Sequence, residues 1–303
     1  MNFEAEWMAC AERGDFVGAW KINSLVLAQQ DPARRDDPTL PYHLRWVWDG
    51  QPFDGKHVLV RCYHGLGDTL QFARFLPLLG RRAASVRVET QPSLVPLFRS
   101  FREVDDVFAF DVAAPAPPAE CDLEIMELGF ALRALPEDAP LPYLTIPPAA
   151  LPSDTIGLCW RAGDWDPDRS IDEQALRPLT AARCLTLLPE PTTLAVLNPR
   201  GAPLDMQATA ALVQAVDLVI TVDTMVAHLA GALGRPTWLL LKHDADWRWM
   251  KGRRDSPWYP TMRIYRQPVA GDWASVLAEV RSDLAAPGKA DLTRRAASRK
   301  GAL

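Results

Sequence analysis

The hydrophobic positions of the chain alternate between short apolar runs and segments of helical periodicity, which is the pattern of an α/β protein. The runs HVLVRCY, SVRVETQ, VFAFD and DLEIMEL predict strands in the first half. The first of them is followed by HGLGDTLQFARFLP, residues 64–77, whose apolar positions recur in steps of three. That spacing predicts a helix over residues 69–79 that packs on a sheet and is kinked or ended at Pro77.

The same alternation returns in the second half of the chain. TIGLC, TLAVLN, LVITVD and TWLLL predict strands, and ATAALVQAV and MVAHLAGAL predict helices between them. Residues 136–154 are rich in proline, which excludes a regular helix or a central strand, so they predict an interdomain linker. Two α/β units joined by a linker predict two Rossmann-like domains that face a central cleft.

These patterns divide the chain into four predicted parts. Residues 1–55 are a helical extension and connector, in which a short helical pair is broken near Gly14. Residues 56–150 and 151–284 are the two Rossmann-like domains. Residues 285–303 are a basic tail that we expect to be disordered.

Composition and charge narrow the class of protein. The 303 residues are 48% hydrophobic and 23% charged, which is ordinary for a globular protein, and the net charge of −5 gives no basic footprint for nucleic acid. The five cysteines are scattered without a CxxC pair, which argues against a disulfide framework and a zinc site. There is neither a signal-peptide pattern nor an apolar run of about 18 residues, so we expect a cytoplasmic protein and leave work at the inner membrane face open.

The glycine-rich turn after the first strand is a candidate site. Gly65 and Gly67 let the backbone turn sharply and let a substrate approach closely, and N–H groups at a helix N-terminus suit an anion. Asp68 at the mouth of this turn has two interpretations. It is a general base, or it is simply the N-cap of the predicted helix.

A second candidate site lies in LVITVDTMVAHLAGALGRP. Asp223 and Thr224 follow a buried strand at the position of a helix N-cap, and His228 lies one turn further on. The helix dipole and the first N–H groups suit a diphosphate; these groups belong to Thr224, Met225, Val226 and Ala227. The alternative is a capped structural helix with a packed histidine, and the spacing leaves both open.

The loop WRAGDWDPDRSI contains Arg161 and Arg169, which are natural counter-charges for a phosphate. The alternative is a surface loop whose aspartates pair internally with these arginines. Alternating aspartates can also hold a divalent cation, but the calcium-loop pattern is absent and the five histidines show no ligand spacing. We therefore predict no metal site.

The aromatic segment HDADWRWMKGRRDSPWYP also has two interpretations. Its aromatic side chains line a cleft and stack on a sugar or base, or they pack a C-terminal helix against the sheet. These side chains are Trp247, Trp249, Trp258 and Tyr259.

Three of these segments in order resemble glycosyltransferase family 9, the bacterial heptosyltransferases, and especially the catalytic domains found behind tetratricopeptide repeats. The matching motifs are GLGDTLQFARFLPLL, VDTMVAHLAGALGRPTWLLL and DWRWMKGRRDSPWYPTMRIYRQP, and the resemblance covers about residues 56–280. It implies a GT-B fold with the active site between an acceptor-side domain and a nucleotide-sugar domain. It also implies inverting, metal-independent transfer of a sugar from a nucleotide donor.

The resemblance assigns roles to single residues. Asp68 matches the catalytic aspartate, and its acceptor-side loop comprises His64, Gly65, Leu66 and Gly67. The implied donor site comprises Arg161, Arg169, Asn198, Asp205, Asp223, Thr224, Met225, Val226, Ala227 and His228. Met225 departs from the pattern, because the heptosyltransferases usually have glycine there.

The function we expect is therefore glycosyl transfer without a cofactor. The partners are a nucleotide sugar and a hydroxyl acceptor on lipopolysaccharide, another glycan or a protein, with no role for nucleic acid. The alternative is a catalytically inactive GT-B-like binding or scaffold protein. A nucleotide-sugar epimerase of related architecture has no motif support here.

Overall fold

The computed structural model describes residues 2–286, which form two α/β units. The first unit consists of Met1–Leu144 and Trp247–Lys251, and the second of Thr145–Asp246 and Gly252–Leu303. The first boundary falls inside the predicted linker, whereas the return of the chain to the first unit is a feature that the sequence did not predict. Beyond Ala286 the predicted basic tail lies outside the described residues.

The first unit begins with the predicted helical pair, α1 (Phe3–Arg13) and α2 (Phe16–Leu27). Gly14 ends α1 in the left-handed conformation, with φ of 76°. The side chain of Asp15 caps α2 by accepting a hydrogen bond from the N–H of Gly18, at 2.8 Å. Two adjacent residues thus set the turn between the helices.

The rest of the first unit is a parallel sheet with short helices between its strands. The sheet has the order β3-β2-β1-β4. Its elements are β1 (His57–Arg61), α3 (Leu66–Phe72), α4 (Leu76–Gly80), β2 (Ser85–Thr90), α5 (Val95–Phe98), β3 (Asp106–Ala109), β4 (Cys121–Glu124) and α6 (Leu128–Leu132).

The predicted helix over residues 69–79 is corrected by the structure. It starts three residues earlier, at Leu66, and a 3₁₀ turn over Ala73–Phe75 separates α3 from α4. The break precedes Pro77, which has no N–H to bond the carbonyl of Ala73.

The second unit is a parallel sheet of the order β6-β5-β7-β8-β9. Its elements are β5 (Ile156–Cys159), β6 (Cys184–Thr186), α7 (Met206–Ala215), β7 (Leu218–Val222), α8 (Met225–Ala232), β8 (Thr237–Leu241), β9 (Met262–Arg266) and α9 (Trp273–Ala285). Every residue of β5, β7 and β8 is buried, as expected for central strands covered on both faces. Within residues 2–286, no helix is long and apolar enough to cross a membrane.

The prediction of a strand at TLAVLN, residues 193–198, is wrong. This segment has no regular secondary structure, and the edge strand of the sheet is β6 instead. The segment still lies beside β6, because Leu197 donates its N–H to the carbonyl of Cys184 at 2.8 Å. Asn198 then pairs through its side chain with the backbone of Thr186, which replaces a regular ladder.

Candidate active site

Each sheet has a topological switch point, where neighbouring strands continue to opposite sides of the sheet. It lies between β1 and β4 in the first unit and between β5 and β7 in the second. In open α/β sheets, ligands bind outside the carboxyl ends of the strands at such points. The glycine-rich turn follows β1, the arginine loop follows β5 and the Thr224 segment follows β7, so each candidate segment borders the switch point of its own sheet.

Asp68 lies in the turn that joins β1 to α3, which we call the Asp68 turn (residues 62–68). The interpretation of Asp68 as N-cap is wrong: Gly65 is the N-cap, and Asp68 occupies the third helical position, after Leu66 and Gly67. Its Oδ2 accepts a hydrogen bond from the N–H of Gly65 at 3.2 Å. Its Oδ1 accepts a hydrogen bond from Nη2 of Arg248, and the Asp68 side chain keeps 27% exposure.

His64 lies beside the same turn, with its Nδ1 3.0 Å from Oε1 of the buried Glu124 at the end of β4. Burial favours the neutral imidazole, but the hydrogen bond to Glu124 and the negative charges of Glu124 and Asp68 outweigh it. The pKa of His64 is therefore raised above its ordinary value. An imidazolium here lies between the carboxylate of Glu124 at the end of β4 and that of Asp68 in the first turn of α3.

The turn between β7 and α8, residues 223–227, is the Thr224 turn. Thr224 is the N-cap of α8 with extended backbone angles, and its side chain makes no capping hydrogen bond within the described part of the chain. The first turn of α8 contains no acidic residue. Val226 and Ala227 are buried in the protein, so their side chains are not available to a ligand. This helix end retains its positive dipole for an anion.

The structure separates the two candidate arginines of the loop after β5. Arg169 is buried, and its Nη1 donates a hydrogen bond of 2.9 Å to the carbonyl of Asp223, directly before Thr224. Its guanidinium also lies 4.1 Å from the centre of the Trp165 ring. Arg161 instead lies on the surface with Nη2 3.2 Å from Oε1 of Glu190. Only Arg169 is therefore brought to the Thr224 turn.

Two polar residues near these turns escaped the sequence analysis. Lys242 follows β8 directly, and its Nζ lies 2.8 Å from Oδ2 of Asp166, which also faces Nε of Arg169 at 3.6 Å. The sequence signal that could have identified Lys242 is a cation directly after a central strand. Gln71, one helical turn after Asp68, is fully buried, and neither of its amide atoms has a hydrogen-bond partner among the described residues. A buried amide of this kind is available to a water molecule or a ligand.

Three other predicted donor residues have structural partners. Asn198 pairs with the backbone of Thr186, and Asp205 is the N-cap of α7, accepting from the N–H groups of Gln207 and Ala208. His228 is buried, with its Nδ1 3.0 Å from the hydroxyl of Tyr259. The structure supports the packed interpretation of His228, and the contact of all three side chains with a nucleotide stays a prediction.

Tyr259 packs directly on α8. A Cβ atom on Gly231 would lie only 2.2 Å from a carbon of the tyrosine ring, so glycine is required at this position. Tyr259, Trp249 and Trp258 are almost completely buried, which favours the packing interpretation of the aromatic segment.

The ends of the strands offer neither a metal cluster nor a reactive thiol among the described residues. Within residues 2–286, no three His, Cys, Asp or Glu side chains are grouped to hold a metal ion. Cys62 follows β1 and Cys159 ends β5, and burial raises the pKa of both thiols, to about 12 for Cys159. A thiol with so high a pKa is a poor nucleophile at neutral pH, which argues against a covalent cysteine intermediate.

Comparison with known proteins agrees with this geometry. Residues 183–241 match the family model described as glycosyltransferase family 9 (heptosyltransferase). The matched segment includes β7, the Thr224 turn, α8 and β8. The resemblance to glycosyltransferase family 9 is confirmed. The association with tetratricopeptide repeats stays a prediction.

Solved structures of this family share the fold. The glycosyl transferase family 9 protein from Veillonella parvula superposes with a TM-score of 0.57 at 11% identity, over 80% of this chain and 98% of that one. The E. coli ADP-heptose LPS heptosyltransferase II superposes with a TM-score of 0.51 at 13% identity, over 79% of this chain and 99% of that one. The mixed α/β fold with two parallel sheets is thus that of the GT-B-like heptosyltransferases.

A curated relative extends the comparison along the chain. Protein FlbA of Caulobacter vibrioides is 26% identical over 288 residues, which span 78% of this chain and 48% of that protein. The chain therefore spans about half the length of the curated relative that it matches.

Proposed function

We propose that this chain is an inverting, metal-independent glycosyltransferase that moves a sugar from a nucleotide sugar to a hydroxyl acceptor. The observation that carries the proposal is the pair of turns at the two switch points. The Asp68 turn presents a partly exposed carboxylate, and the Thr224 turn presents the amino end of a helix beside a buried arginine. A base and an anion site are the two components that such a transfer needs.

In the proposed reaction, the acceptor oxygen attacks the anomeric carbon of the donor sugar. A bond forms between them, the bond from the anomeric carbon to the diphosphate oxygen breaks, and the configuration at that carbon inverts. Asp68 takes the proton of the acceptor hydroxyl. The electron pair of the broken bond leaves with the nucleoside diphosphate, whose added charge is stabilised by the amino end of α8 and by Arg169.

This arrangement supplies positive charge from the protein itself. The helix dipole, Arg169 and Lys242 take the part that a divalent cation plays in other glycosyl transfers. Met225 at the amino end of α8 is compatible with this role, because the donors there are backbone N–H groups that do not depend on the side chain.

The donor that we propose is a nucleoside diphosphate sugar, and the E. coli structural relative is named for ADP-heptose. ADP-linked heptose is therefore the first donor to test. The acceptor is a hydroxyl group of lipopolysaccharide, another glycan or a protein.

A thermal-shift screen tests the proposal directly. ADP, UDP, GDP and their sugar derivatives, including ADP-heptose, are added with and without EDTA, because a ligand that binds the native state raises its melting temperature. We expect a shift with one nucleotide class that survives EDTA, and release of that nucleoside diphosphate from its sugar derivative. A shift abolished by EDTA and restored by Mn²⁺ would contradict metal independence, and no shift with any compound would favour the scaffold alternative.

A further inference from the structure

The segment Trp247–Lys251 is the part of the first unit that comes from the second half of the chain. Its Arg248 contacts Oδ1 of Asp68, while Oδ2 of Asp68 accepts the N–H of Gly65. We propose that Arg248 is a positioning residue for Asp68 and that helix α1 holds Arg248 in place. This inference rests on the proposed function, because it gives Arg248 and α1 a role in the same reaction.

The two donors fix the carboxylate of Asp68 from two sides. With one hydrogen bond to each oxygen, rotation of the carboxylate would break both contacts. Each oxygen has two acceptor sites, so one site on each remains for the proton of a substrate hydroxyl. The Arg248 side chain is only 10% exposed, and a charge pair that is shielded from water is stronger than one on the surface.

Arg248 is linked to α1 through the ring of Trp247. Its guanidinium lies 4.9 Å from the centre of the Trp247 ring, and Trp7 of α1 meets the same ring edge-on at 5.0 Å with an interplanar angle of 81°. A continuous line of contacts therefore runs from Trp7 through Trp247 and Arg248 to Asp68.

The other end of the segment is also attached to α1. Nζ of Lys251 lies 3.0 Å from Oε1 of Glu12. The side chain of Met250 lies against Gly14, where a Cβ atom would be 3.2 Å from the methionine methyl carbon. Glycine at this position thus provides both the positive φ that ends α1 and the space that Met250 occupies. Helix α1 and the glycine that ends it thus hold the segment at both ends, and Arg248 lies between these contacts.

A positioning role differs measurably from a structural one. A residue that positions a base acts through that base, so its loss has no further effect once the base is gone. A residue that supports the fold, or that binds substrate by itself, slows the reaction with or without the base.

The test is a double-mutant cycle on the rate at which nucleoside diphosphate is released from the sugar nucleotide that gives the largest thermal shift, with ADP-heptose as the first probe. Arg248→Gln should lower the rate roughly 10- to 100-fold, because small displacements of a catalytic group have effects of that size. In the Asp68→Asn background the same substitution should change the rate less than about threefold. Arg248→Lys keeps the charge and should recover part of the rate.

The contact of α1 with this segment is tested by the same double-mutant cycle. Trp7→Ala should lower the rate in the wild-type background and leave the Asp68→Asn background unchanged within about threefold. Trp7→Phe keeps the edge-on contact and should be close to wild type. Arg87→Gln is the matched control, because it removes an arginine–aspartate pair from the same unit in which both side chains are half-exposed, with Asp106 3.5 Å away.

Melting temperatures are recorded for every variant. If Arg248→Gln does not fold, Arg248→Lys and Trp7→Ala complete the cycle. Equal losses in both backgrounds overturn the positioning role and leave the proposed function standing. No release by the wild-type protein from any sugar nucleotide overturns the proposed function, and the positioning role falls with it.

Discussion

The Asp68 turn and the Thr224 turn share one plan, in which a buried parallel strand leads through a short turn into a helix. They differ in what occupies the amino end of that helix. In the Asp68 turn, the carboxylate of Asp68 reaches back to the N–H of Gly65 and places a negative charge in the first turn of α3. In the Thr224 turn, neither an acidic residue nor a capping side chain occupies the described first turn of α8.

The difference shows that one supersecondary unit serves opposite electrostatic purposes. An internal carboxylate satisfies the helix dipole of α3 and repels an external anion. The Thr224 side chain does not cap α8 and the described first turn holds no acidic residue, so the helix dipole favours a negative group there, and Arg169 adds its charge to the same place. A carboxylate within the first turn of the helix therefore decides which purpose is served.

The largest expected effect comes from removing the negative charge of the Asp68 turn. Asp68→Asn should lower turnover roughly 10²- to 10⁴-fold, the usual contribution of a general base. The single amide oxygen can replace only one of the two acceptors that contact Gly65 and Arg248, so we expect a measurable loss of stability as well. Turnover, melting temperature and nucleotide affinity should be measured on one preparation. Turnover near the wild-type value would refute the role of Asp68 as the base.

The next substitution places a carboxylate at the amino end of α8, as Asp68 does at the amino end of α3. Thr224→Asp supplies a carboxylate to the N-cap of α8, which should raise the free energy of unfolding by about 0.5 to 1 kcal/mol. The same charge should weaken binding of a nucleoside diphosphate by roughly 100-fold, or about 3 kcal/mol. Denaturant unfolding and calorimetric titration check the two opposite changes.

The matched control for that substitution is Val269→Asp. It adds the same charge to the second unit at a side chain that is 61% exposed and outside the Thr224 turn. Equal weakening by both substitutions would mean that net charge, rather than the amino end of α8, governs binding.

A smaller difference should separate the two arginines of the loop after β5. Arg169→Gln should weaken nucleotide binding by about tenfold or more, because a hydrogen bond to a charged group is worth about 1.5 to 3 kcal/mol. Arg161→Gln should have a smaller effect, since its half-exposed pair with Glu190 is worth at most about 1 kcal/mol and lies apart from the Thr224 turn. Titration of both variants with the same nucleotide makes the comparison, and equal effects would restore Arg161 to the donor site.

The smallest effect concerns the histidine of the first turn. Because the pKa of His64 is raised in the folded protein, its contribution to stability is fully present below its ordinary pKa of 6.5 and is lost as the pH rises through the raised value. Urea midpoints between about pH 5.5 and 8.5 should therefore fall more steeply for the wild type than for His64→Gln.

Glu127 makes the comparison between variants necessary. Burial raises the pKa of its carboxyl from 4.5 to about 7, so its contribution to stability also declines as the pH rises toward neutrality. The wild-type curve alone would combine both groups. Identical slopes for the wild type and His64→Gln would contradict the imidazolium contact with Glu124.

The hydrophobic pattern predicted most strands and both turns, because strands buried on both faces appear as continuous apolar runs. The predicted strand at TLAVLN is wrong because its apolar residues form a loop beside β6. The side chain of Asn198, rather than a regular ladder, holds this loop. The predicted first residue of α3 is wrong because Gly65 serves as N-cap with its backbone alone. A glycine carries no side-chain signal for that role.

Candidate site residues could be predicted from the sequence where they directly follow a predicted strand. Asp68, Thr224 and Arg169 each follow a central strand, and parallel topology brings such positions to the carboxyl edge of their own sheet. Arg248 was not predicted, because its partner lies 180 positions away and only the tertiary structure brings the two together. Gln71 was hidden within an apolar helix, where an amide gives no periodic signal.

The return of the chain at Trp247–Lys251 also fixes an order of events during synthesis. Domains usually fold as they leave the ribosome, the amino-terminal one first. Here the first unit lacks its last piece until residue 251 has been made, by which time residues 145–246 have already been translated. A nascent chain shorter than this has Asp68 without the guanidinium of Arg248, so Asp68 acquires this partner only when most of the second unit exists.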